Sequence, residues 1–424
     1  MSGLLPSWVD GANDPEGAFP LNNLPYGVFS SAGSAPRCGV AVGHHILDVA
    51  LLEAQGLINL GQPVFTAPSW NALMALGPAQ WRALRTRLTD LLCEGGETAL
   101  WDDQALRAQA LVPQEGASLH LPLTVTEFTD FYASRQHATN VGTMFRGAEN
   151  ALPPNWLHMP IGYNGRASSV VVSGTPIRRP WGQIMPPEAM RPRWAPSERF
   201  DMELELGAII GVPSAGPLSV ATAQDTLFGY VLLNDWSARD IQAWEYQPLG
   251  PFQAKATATT ISPWIVTSAA LAPFQCAAPA REVSLLPHLA DRGPMHLDLN
   301  LTASLTPQGG SPSVITRTNA RELYYSFAQQ VAHHASSGCP MRVGDLIGSG
   351  TISGEAPGSR GSLLELSWGS KDPFALEGGE KRSFLLDGDT ITLNGHAQGD
   401  GYRLGFGACA GQVSAAKLDP FSAE

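Results

Sequence analysis

The amino-acid sequence predicts a mainly β protein with few long helices. Its 424 residues include 44 glycines and 34 prolines, which form turns, and many short runs of Val, Thr and Ile, which favour strands. A chain of this length is long enough to form two domains, and 44% apolar residues suffice for a sizeable core. We therefore expect short strands separated by turns, with helices in a few places.

The clearest strand is DMELELGAIIGV, residues 201–212. Asp201, Glu203 and Glu205 alternate with apolar residues, as in a strand with one buried face. The stretch 207–211 has no polar side chain, so we expect it to be buried on both faces. Two glutamates at this spacing can converge on one ion, and their oxygen ligands favour Ca²⁺ or Mg²⁺ over zinc. The alternative is a solvated acidic face, which is the commoner case.

Two stretches have the apolar spacing of helices. In residues 69–96 leucines repeat at helical spacing, and Gly95 can end the helix. In residues 319–338, Asn319 can cap the first turn, and Gly338 can end the last. The segment LVPQEGASLHLP, residues 111–122, is typical of a linker. It predicts two domains, residues 1–118 and 119–424.

The charge balance argues against several classes of partner. With 26 basic and 38 acidic residues the net charge is -12, so nucleic acid and anionic membranes would be repelled. The amino terminus has no signal-peptide pattern, and no apolar run is long enough to span a bilayer. Five scattered cysteines indicate free thiols rather than disulfides or a zinc site. These features predict a cytoplasmic protein without nucleic-acid or membrane partners.

A second candidate segment is LNDWSARDIQAWEY, residues 233–246. Asp235 lies where an apolar strand ends, and Ser237 with Asp240 can cap a short helix. On that helix Arg239, Gln242 and Tyr246 share a face. Taken alone, this face is more typical of an amphipathic surface than of a functional site. Lys255 follows in a stretch of small residues with Thr257, Thr259 and Thr260.

Two further segments contain titratable groups. DFYASRQHATNVGTMFRG, residues 130–147, brings Asp130, Tyr132, His137 and Arg146 into one turn-rich stretch. A single histidine is usually structural, and we also treat the pairs His44-His45 and His333-His334 as structural. In GSLLELSW, residues 361–368, Glu365 is expected to face solvent from a strand unless another group pairs with it.

Together these stretches resemble the fumarylacetoacetate hydrolase family. The similarity also includes NLPYGVFS, NWLHMPIGYNGRASSVVVSGTPIRRP, SGTISG and QGDGYRLGFG, and so covers nearly the whole chain. Shorter members of the family share mainly the catalytic part. The resemblance implies a small SH3-like barrel at the amino terminus, a larger mixed β-roll catalytic domain of the fumarylacetoacetate hydrolase type, and a homodimer.

The resemblance also implies a role for each candidate residue. A metal, Ca²⁺ or Mg²⁺, would be held by Asp130, Glu203, Glu205 and Asp235, with Lys255 and Thr259 near a further Mg²⁺ position. His137 paired with Glu365 would activate water, and Arg239, Gln242 and Lys255 would stabilise an enolate. Substrate contacts would come from Tyr132, Arg146, Tyr163, Gln242, Tyr246 and Thr351. One departure is Ala258, where the family often has a glycine close to the Mg²⁺ position.

The implied activity is metal-dependent hydrolysis of a carbon-carbon bond. Fumarylacetoacetate would be cleaved to fumarate and acetoacetate, the last step of tyrosine and phenylalanine catabolism. Three alternatives remain open: another reaction of the superfamily on acylpyruvates or oxo-acids, a metal-binding scaffold without catalysis, and partner binding through the amino-terminal barrel. Retention of His137, Glu365 and Lys255 argues against the scaffold.

Overall fold

The computed structural model describes residues 3–419 and Phe421. Met1 and Ser2, which begin the segment inspected for a signal peptide, lie outside the described residues. So do Pro420 and residues 422–424, at the end of the second predicted domain.

The described residues form eleven α-helices. These are α1 (Val49–Ala54), α2 (Asn71–Ala75), α3 (Pro78–Leu92), α4 (Ala99–Asp102), α5 (Gln104–Ala110), α6 (Arg135–Arg146), α7 (Val220–Thr226), α8 (Arg239–Glu245), α9 (Ser268–Leu271), α10 (Phe327–Ala335) and α11 (Leu363–Leu366). Within the same residues, no helix is both long enough and apolar enough to cross a bilayer.

Strands dominate the rest of the described chain. The first five are β1 (Tyr26–Ser30), β2 (Arg37–Val42), β3 (His45–Asp48), β4 (Leu111–Pro113) and β5 (Ser118–His120). The next twelve are β6 (Phe128–Phe131), β7 (Gly162–Asn164), β8 (Val170–Val172), β9 (Ile177–Arg178), β10 (Trp181–Ile184), β11 (Arg193–Pro196), β12 (Phe200–Asp201), β13 (Leu204–Ile210), β14 (Leu227–Asp235), β15 (Ser237–Ala238), β16 (Thr259–Ile261) and β17 (Val266–Thr267). The last ten are β18 (Gln275–Cys276), β19 (His296–Leu297), β20 (Asn300–Thr306), β21 (Ser313–Asn319), β22 (Leu346–Gly348), β23 (Phe374–Ala375), β24 (Lys381–Arg382), β25 (Thr390–Gln398), β26 (Arg403–Gly405) and β27 (Cys409–Ser414).

The amino-terminal part is a five-stranded antiparallel sheet in the order β4-β3-β2-β1-β5. The prediction that residues 111–122 are a linker is wrong, because β4 and β5 lie in this segment and pair with β3 and β1. Short strands of this kind are specified by their partners rather than by local sequence. The proposed division into residues 1–118 and 119–424 falls at the first residue of β5.

The larger part is built on an eight-stranded sheet in the order β7-β6-β22-β13-β14-β16-β8, with β17 also paired to β14. The β6-β22 and β8-β16 pairs are parallel and the other pairs antiparallel. A six-stranded sheet, β21-β20-β25-β27-β9 with β26, completes this part. The predicted fold class is confirmed: the chain is mainly β, with a small amino-terminal domain before a larger mixed-sheet domain.

The eight-stranded sheet is buried on both faces. On β13, Leu204 and Leu206 belong to the core of the larger domain, whereas Ile209 packs in the core that contains Trp70 and Leu88 of the amino-terminal domain. Successive side chains point to opposite faces of a strand. Glu203 and Glu205 share the parity of Ile209 and therefore lie on the face that the amino-terminal domain covers further along the strand.

Both predicted helical stretches contain helices with different bounds. Residues 69–96 form α2 and α3 rather than one helix, because the chain turns at Gly77 with φ +82°. Residues 319–338 contain α10, which begins after a capping box of Ser326 and Gln329. Asn319 ends β21 and caps only the short 3₁₀ turn Ala320–Glu322, so its prediction as the helix cap was wrong.

Candidate active site

Four carboxylates gather at the end of the eight-stranded sheet. Asp130 lies on β6, Glu203 directly before β13, Glu205 on β13 and Asp235 at the end of β14. One ligand oxygen from each lies within 4.8 Å of the others, and all four side chains are buried. The alternative that the glutamates of residues 201–212 form a solvated face is therefore wrong.

Strand register explains how distant carboxylates meet. On β22, Gly348 is aligned with Asp130 of β6 on one side and with Gly207 of β13 on the other. A Cβ atom at Gly348 would lie 2.6 Å from Asp130 Oδ1 and 3.2 Å from Glu205 Oε2. A glycine at this position thus lets the carboxylates of two non-adjacent strands approach each other.

Two oxygen atoms of the cluster have no hydrogen-bond partner among the described residues, Asp130 Oδ1 and Glu205 Oε1. Burial, together with the neighbouring carboxylates, raises the pKa of both Asp130 and Glu205 well above the ordinary value. Buried charges are normally paired or coordinate a metal. An all-oxygen donor set with unsatisfied atoms fits a hard divalent cation such as Ca²⁺ or Mg²⁺.

Lys255 lies beside this cluster, at the end of a 3₁₀ turn over Gln253–Lys255. Its Nζ forms ion pairs with Glu203 and, at 2.8 Å, with Asp235. Burial by itself would lower the pKa of Lys255, but Asp235 and Glu203 outweigh it and raise that pKa. The amine therefore stays charged and has no lone pair to offer a metal.

Asp235 receives two further hydrogen bonds. Thr259, its neighbour across the β14-β16 pair, donates from Oγ1 to Oδ1 at 2.9 Å. Tyr163 on β7 donates from its hydroxyl to Oδ2 at 3.0 Å. These donors and the Lys255 ammonium compensate the charge of the Asp235 carboxylate within the protein. Asp130 and Glu205, in contrast, each keep one oxygen atom without a partner among the described residues.

Arg239 is the first residue of α8. Its Nη2 lies 2.7 Å from Glu203 Oε1, and its Nη1 donates to Gln242 Oε1 at 3.0 Å. Arg239 and Gln242 therefore contact each other on α8, whereas Tyr246, the third residue of the predicted face, follows the last residue of the helix. The predicted cap is wrong: Ala238 precedes the helix, and Ser237 donates to the backbone oxygen of Asp235 instead.

His137 on α6 forms a buried pair with Glu365, with Nδ1 2.6 Å from Oε2. The prediction that Glu365 faces solvent from a strand is wrong. Residues 363–366 form α11, capped by the Ser362 hydroxyl, and Glu365 is fully buried. The four-residue helix has too few turns for its leucines to show a helical period, whereas their alternation imitates a strand.

Two family models together match most of the chain. Residues 22–122 match the model described as "Fumarylacetoacetase N-terminal", and residues 126–414 match "Fumarylacetoacetate (FAA) hydrolase C-terminal". The chain belongs to the fumarylacetoacetate hydrolase family. Both parts of the family architecture are present in sequence order.

Named relatives of this family match over nearly the full length. The fumarylacetoacetase of Rattus norvegicus is 49% identical over 414 residues, covering 96% of this chain and 98% of the relative. The human fumarylacetoacetase is 48% identical over 97% and 99% of the two chains, and that of Arabidopsis thaliana 46% identical over 97% and 98%. This chain is a hydrolase of the fumarylacetoacetase type.

Solved structures of lower identity support the fold. A fumarylacetoacetate hydrolase from Exiguobacterium antarcticum is similar with a TM-score of 0.53, at 16% identity over 92% of this chain and 99% of its own. A structure titled as an HpcE protein from Mycobacterium smegmatis gives the same TM-score at 18% identity and covers the same shares of both chains. At this identity the similarity concerns the fold alone.

In this hydrolase family member the predicted site residues surround one cavity of about 400 Å³. Most of the predicted residues line it: Asp130, Tyr132, His137, Arg146, Tyr163, Glu203, Arg239, Gln242, Tyr246, Lys255 and Thr351. The remaining four, Glu205, Asp235, Thr259 and Glu365, are buried behind this lining. The four histidines treated as structural are not part of the lining among the described residues.

Sequence reasoning missed several residues of the family member's site. Asn140 and Ser353 donate hydrogen bonds to Glu365, each at 2.9 Å. Gly350 donates its backbone N–H to Glu205 Oε2 at 3.0 Å and has φ +75°. An apolar wall includes Phe145 and Leu249. Asn140 was detectable, since it lies one turn after His137 on α6; the others depend on tertiary contacts.

Proposed function

We propose that this family member hydrolyses fumarylacetoacetate to fumarate and acetoacetate, the last step of tyrosine and phenylalanine catabolism. The observation that carries the proposal is that the His137–Glu365 pair and the acidic cluster adjoin a single cavity. Similarity to fumarylacetoacetases over almost the entire chain supports the same substrate.

We propose that Asp130, Glu203, Glu205 and Asp235 hold Ca²⁺ or Mg²⁺. The unpaired atoms Asp130 Oδ1 and Glu205 Oε1 support this ligand set. When bound, a divalent cation supplies Lewis-acid stabilisation of the oxygens of a 1,3-diketone. Lys255 and Thr259 would border a further Mg²⁺ position rather than both coordinate it, because the Lys255 amine is paired with carboxylates.

His137 is the proposed general base. Its Nδ1 is engaged by Glu365, which leaves Nε2 as the ring nitrogen that can take a proton from water on the cavity side. Glu365 stabilises the imidazolium that forms and fixes the ring tautomer. The hydroxide generated in this way adds to the carbonyl carbon of the fumaryl group.

Collapse of the tetrahedral intermediate then breaks the carbon-carbon bond. The electron pair of that bond leaves with acetoacetate as an enolate, and the other fragment becomes fumarate. Fixed donors must meet the developing negative charge, a role proposed for Arg239, Gln242 and Lys255. The imidazolium of His137 can return its proton to the enolate carbon, which restores the base and balances the reaction.

Substrate recognition follows from the charge of the ligand. Fumarylacetoacetate carries two carboxylates and would be repelled by an uncompensated acidic cluster. Arg146 lines the cavity, where it donates to the backbone oxygens of residues 150 and 151. We propose that Arg146, with Tyr132, Tyr163, Gln242, Tyr246 and Thr351, contacts the substrate. Thr351 Oγ1 is buried and has no protein partner among the described residues.

We also propose a homodimer in the cytoplasm. The five cysteines are all free, as expected for a reducing compartment. The dimer rests on the resemblance to the family, and sedimentation of the purified protein would test it.

A spectrophotometric assay tests the proposed function. Loss of the conjugated diketo absorbance is followed with fumarylacetoacetate and with acetylpyruvate, before chelation, after it, and after addition of Ca²⁺ or Mg²⁺. We expect rapid, cation-dependent loss of fumarylacetoacetate and little action on acetylpyruvate. Preference for acetylpyruvate would assign the chain to another activity of the superfamily, and no turnover of either would indicate a scaffold without catalysis.

A further inference from the structure

The Asp201 carboxylate has no role in the reaction described above, although it is fully buried. Its Oδ1 accepts the backbone N–H groups of Met202 and Leu363, both at 2.8 Å. Its Oδ2 accepts the Leu364 N–H at 3.0 Å and Arg239 Nε at 2.8 Å. All four partners donate, so the contacts require an ionised carboxylate.

The contact with Asp201 fixes the orientation of the Arg239 guanidinium, which lines the cavity. A guanidinium is a planar fork, so a bond to Nε determines the plane in which both Nη atoms lie. In that plane Nη2 meets Glu203 and Nη1 meets Gln242. Asp201 thereby determines which donors Arg239 presents to the cavity.

The contacts with Leu363 and Leu364 fix the position of the proposed base pair. The first N–H groups of a helix have no partner within the helix, and Asp201 accepts two of them at the start of α11. Glu365 is the next residue. Because α11 has only four residues, its internal hydrogen bonds alone cannot determine where Glu365 meets His137.

We propose that Asp201 is a positioning residue of this active site. It joins Arg239 to the α11 turn that carries Glu365. The His137–Glu365 pair and the Arg239 guanidinium, which faces the enolate, therefore keep one relative geometry. This proposal rests on the proposed function for the roles of those two groups, and its own content is the link between them.

The first test compares Asp201→Asn with a matched buried aspartate. Asp389 is also buried and accepts hydrogen bonds from Arg382 Nε and the Leu386 N–H, but neither of these partners lines the cavity, whereas Arg239 does. We expect Asp201→Asn to lower kcat on the order of 100-fold with little change in KM, and Asp389→Asn to lower Tm without this loss of kcat. Similar kcat values for the two variants below their Tm would overturn the proposal.

The second test separates positioning from cation binding. Calorimetric titration with Ca²⁺ should give similar affinities for wild type and Asp201→Asn, whereas Glu203→Gln should bind far more weakly. Equal weakening in both variants would mean that Asp201 acts on the cation site. Asp201→Glu retains the charge but displaces its oxygens, and it should also lose kcat, which keeps the proposal testable if the asparagine variant does not fold.

The third test needs no substrate and so separates this proposal from the proposed function. The His137 Nδ1–H proton should give a far-downfield NMR resonance that disappears in His137→Ala. We expect Asp201→Asn to shift or broaden it, and Asp389→Asn to leave it in place. An unchanged resonance in Asp201→Asn would contradict positioning through α11, whereas a shifted resonance in a protein inactive on fumarylacetoacetate would retain the positioning and reject only the substrate.

Discussion

Nδ1 of His137 lies 2.6 Å from Oε2 of Glu365, although 228 positions separate the two residues in the chain. Asn140, Ser353 and Ser362 also donate to this carboxylate. Burial alone would raise the pKa of Glu365, but electrostatic attraction to His137 and the hydrogen bonds with His137, Asn140 and Ser362 outweigh burial and lower that pKa. Glu365 therefore remains a carboxylate beside the ring, and a proton taken from water stays on the imidazole.

This relationship predicts a large effect of Glu365→Gln. The amide carries no charge to stabilise an imidazolium, and its NH₂ group would face hydroxyl and N–H donors. We expect kcat to fall by about 10²- to 10⁴-fold, measured by fumarate release at saturating substrate.

A glutamate outside the cavity provides the control for Glu365→Gln. Glu53 accepts the backbone N–H groups of Val64 and Phe65 in the amino-terminal domain, and Glu53→Gln should retain kcat. If Glu365→Gln kept most of its activity while folded, Glu365 would have no part in water activation.

A second prediction concerns the glycine between the carboxylates. In Gly348→Ala the new methyl group would meet Asp130 Oδ1 at 2.6 Å and Glu205 Oε2 at 3.2 Å. We expect the cation affinity to fall by roughly 10- to 100-fold, measured by calorimetric titration with Ca²⁺ and Mg²⁺. Gly216→Ala is the matched control, because a Cβ there has no other heavy atom within 4 Å. Equal affinities for the two variants would place the cation elsewhere.

A third prediction links pH, stability and the cation. Asp130 and Glu205 have raised pKa values in the folded protein, so the folded state holds protons that the unfolded state has released. The cation-free protein should therefore lose stability as the pH rises above the ordinary carboxyl range. A cation binds the ionised form, and at about 100 times its Kd it adds about 2.7 kcal/mol.

The rise in Tm on adding Ca²⁺ should thus be larger at about pH 8 than at about pH 5. Differential scanning calorimetry with and without chelator measures it at both values. Glu205→Gln removes one of the raised carboxyls and should reduce this dependence on pH. If Ca²⁺ raised the Tm of the wild type by the same amount at both pH values, the result would count against a cation at these carboxylates.

Alternation along one strand was enough to predict part of the site. It put Glu203 and Glu205 on the same side of a strand, and in the structure Glu205 lies on β13 with Glu203 directly before it. Asp201, at the start of the predicted strand, belongs to the separate strand β12. Local sequence could not show that this side is buried, because the groups that pack there are remote in sequence. Gly348 and Gly350 lie against Glu205 from more than a hundred residues further on, and the amino-terminal domain packs on Ile209. Asp130 and Asp235 were candidates from their own segments, but they joined the metal-ligand set only through the family resemblance.

Other elements were missed where tertiary contacts outweigh local patterns. Residues 363–366 alternate like a strand but form α11, because Ser362 caps the turn and Asp201 accepts two of its N–H groups. Residues 111–122 have the composition of a linker but contain β4 and β5, which pair with β3 and β1. In both cases the deciding partner is remote in sequence.

Replacement of the proposed base tests the central claim most directly. His137→Ala removes the ring that Glu365 orients and leaves the four carboxylates unchanged. Calorimetric titration with Ca²⁺ and a single-turnover measurement of fumarate release are made on the same preparation. We expect the variant to bind the cation as the wild type does and to release no fumarate above the uncatalysed rate. Near-normal fumarate release by His137→Ala would contradict the account.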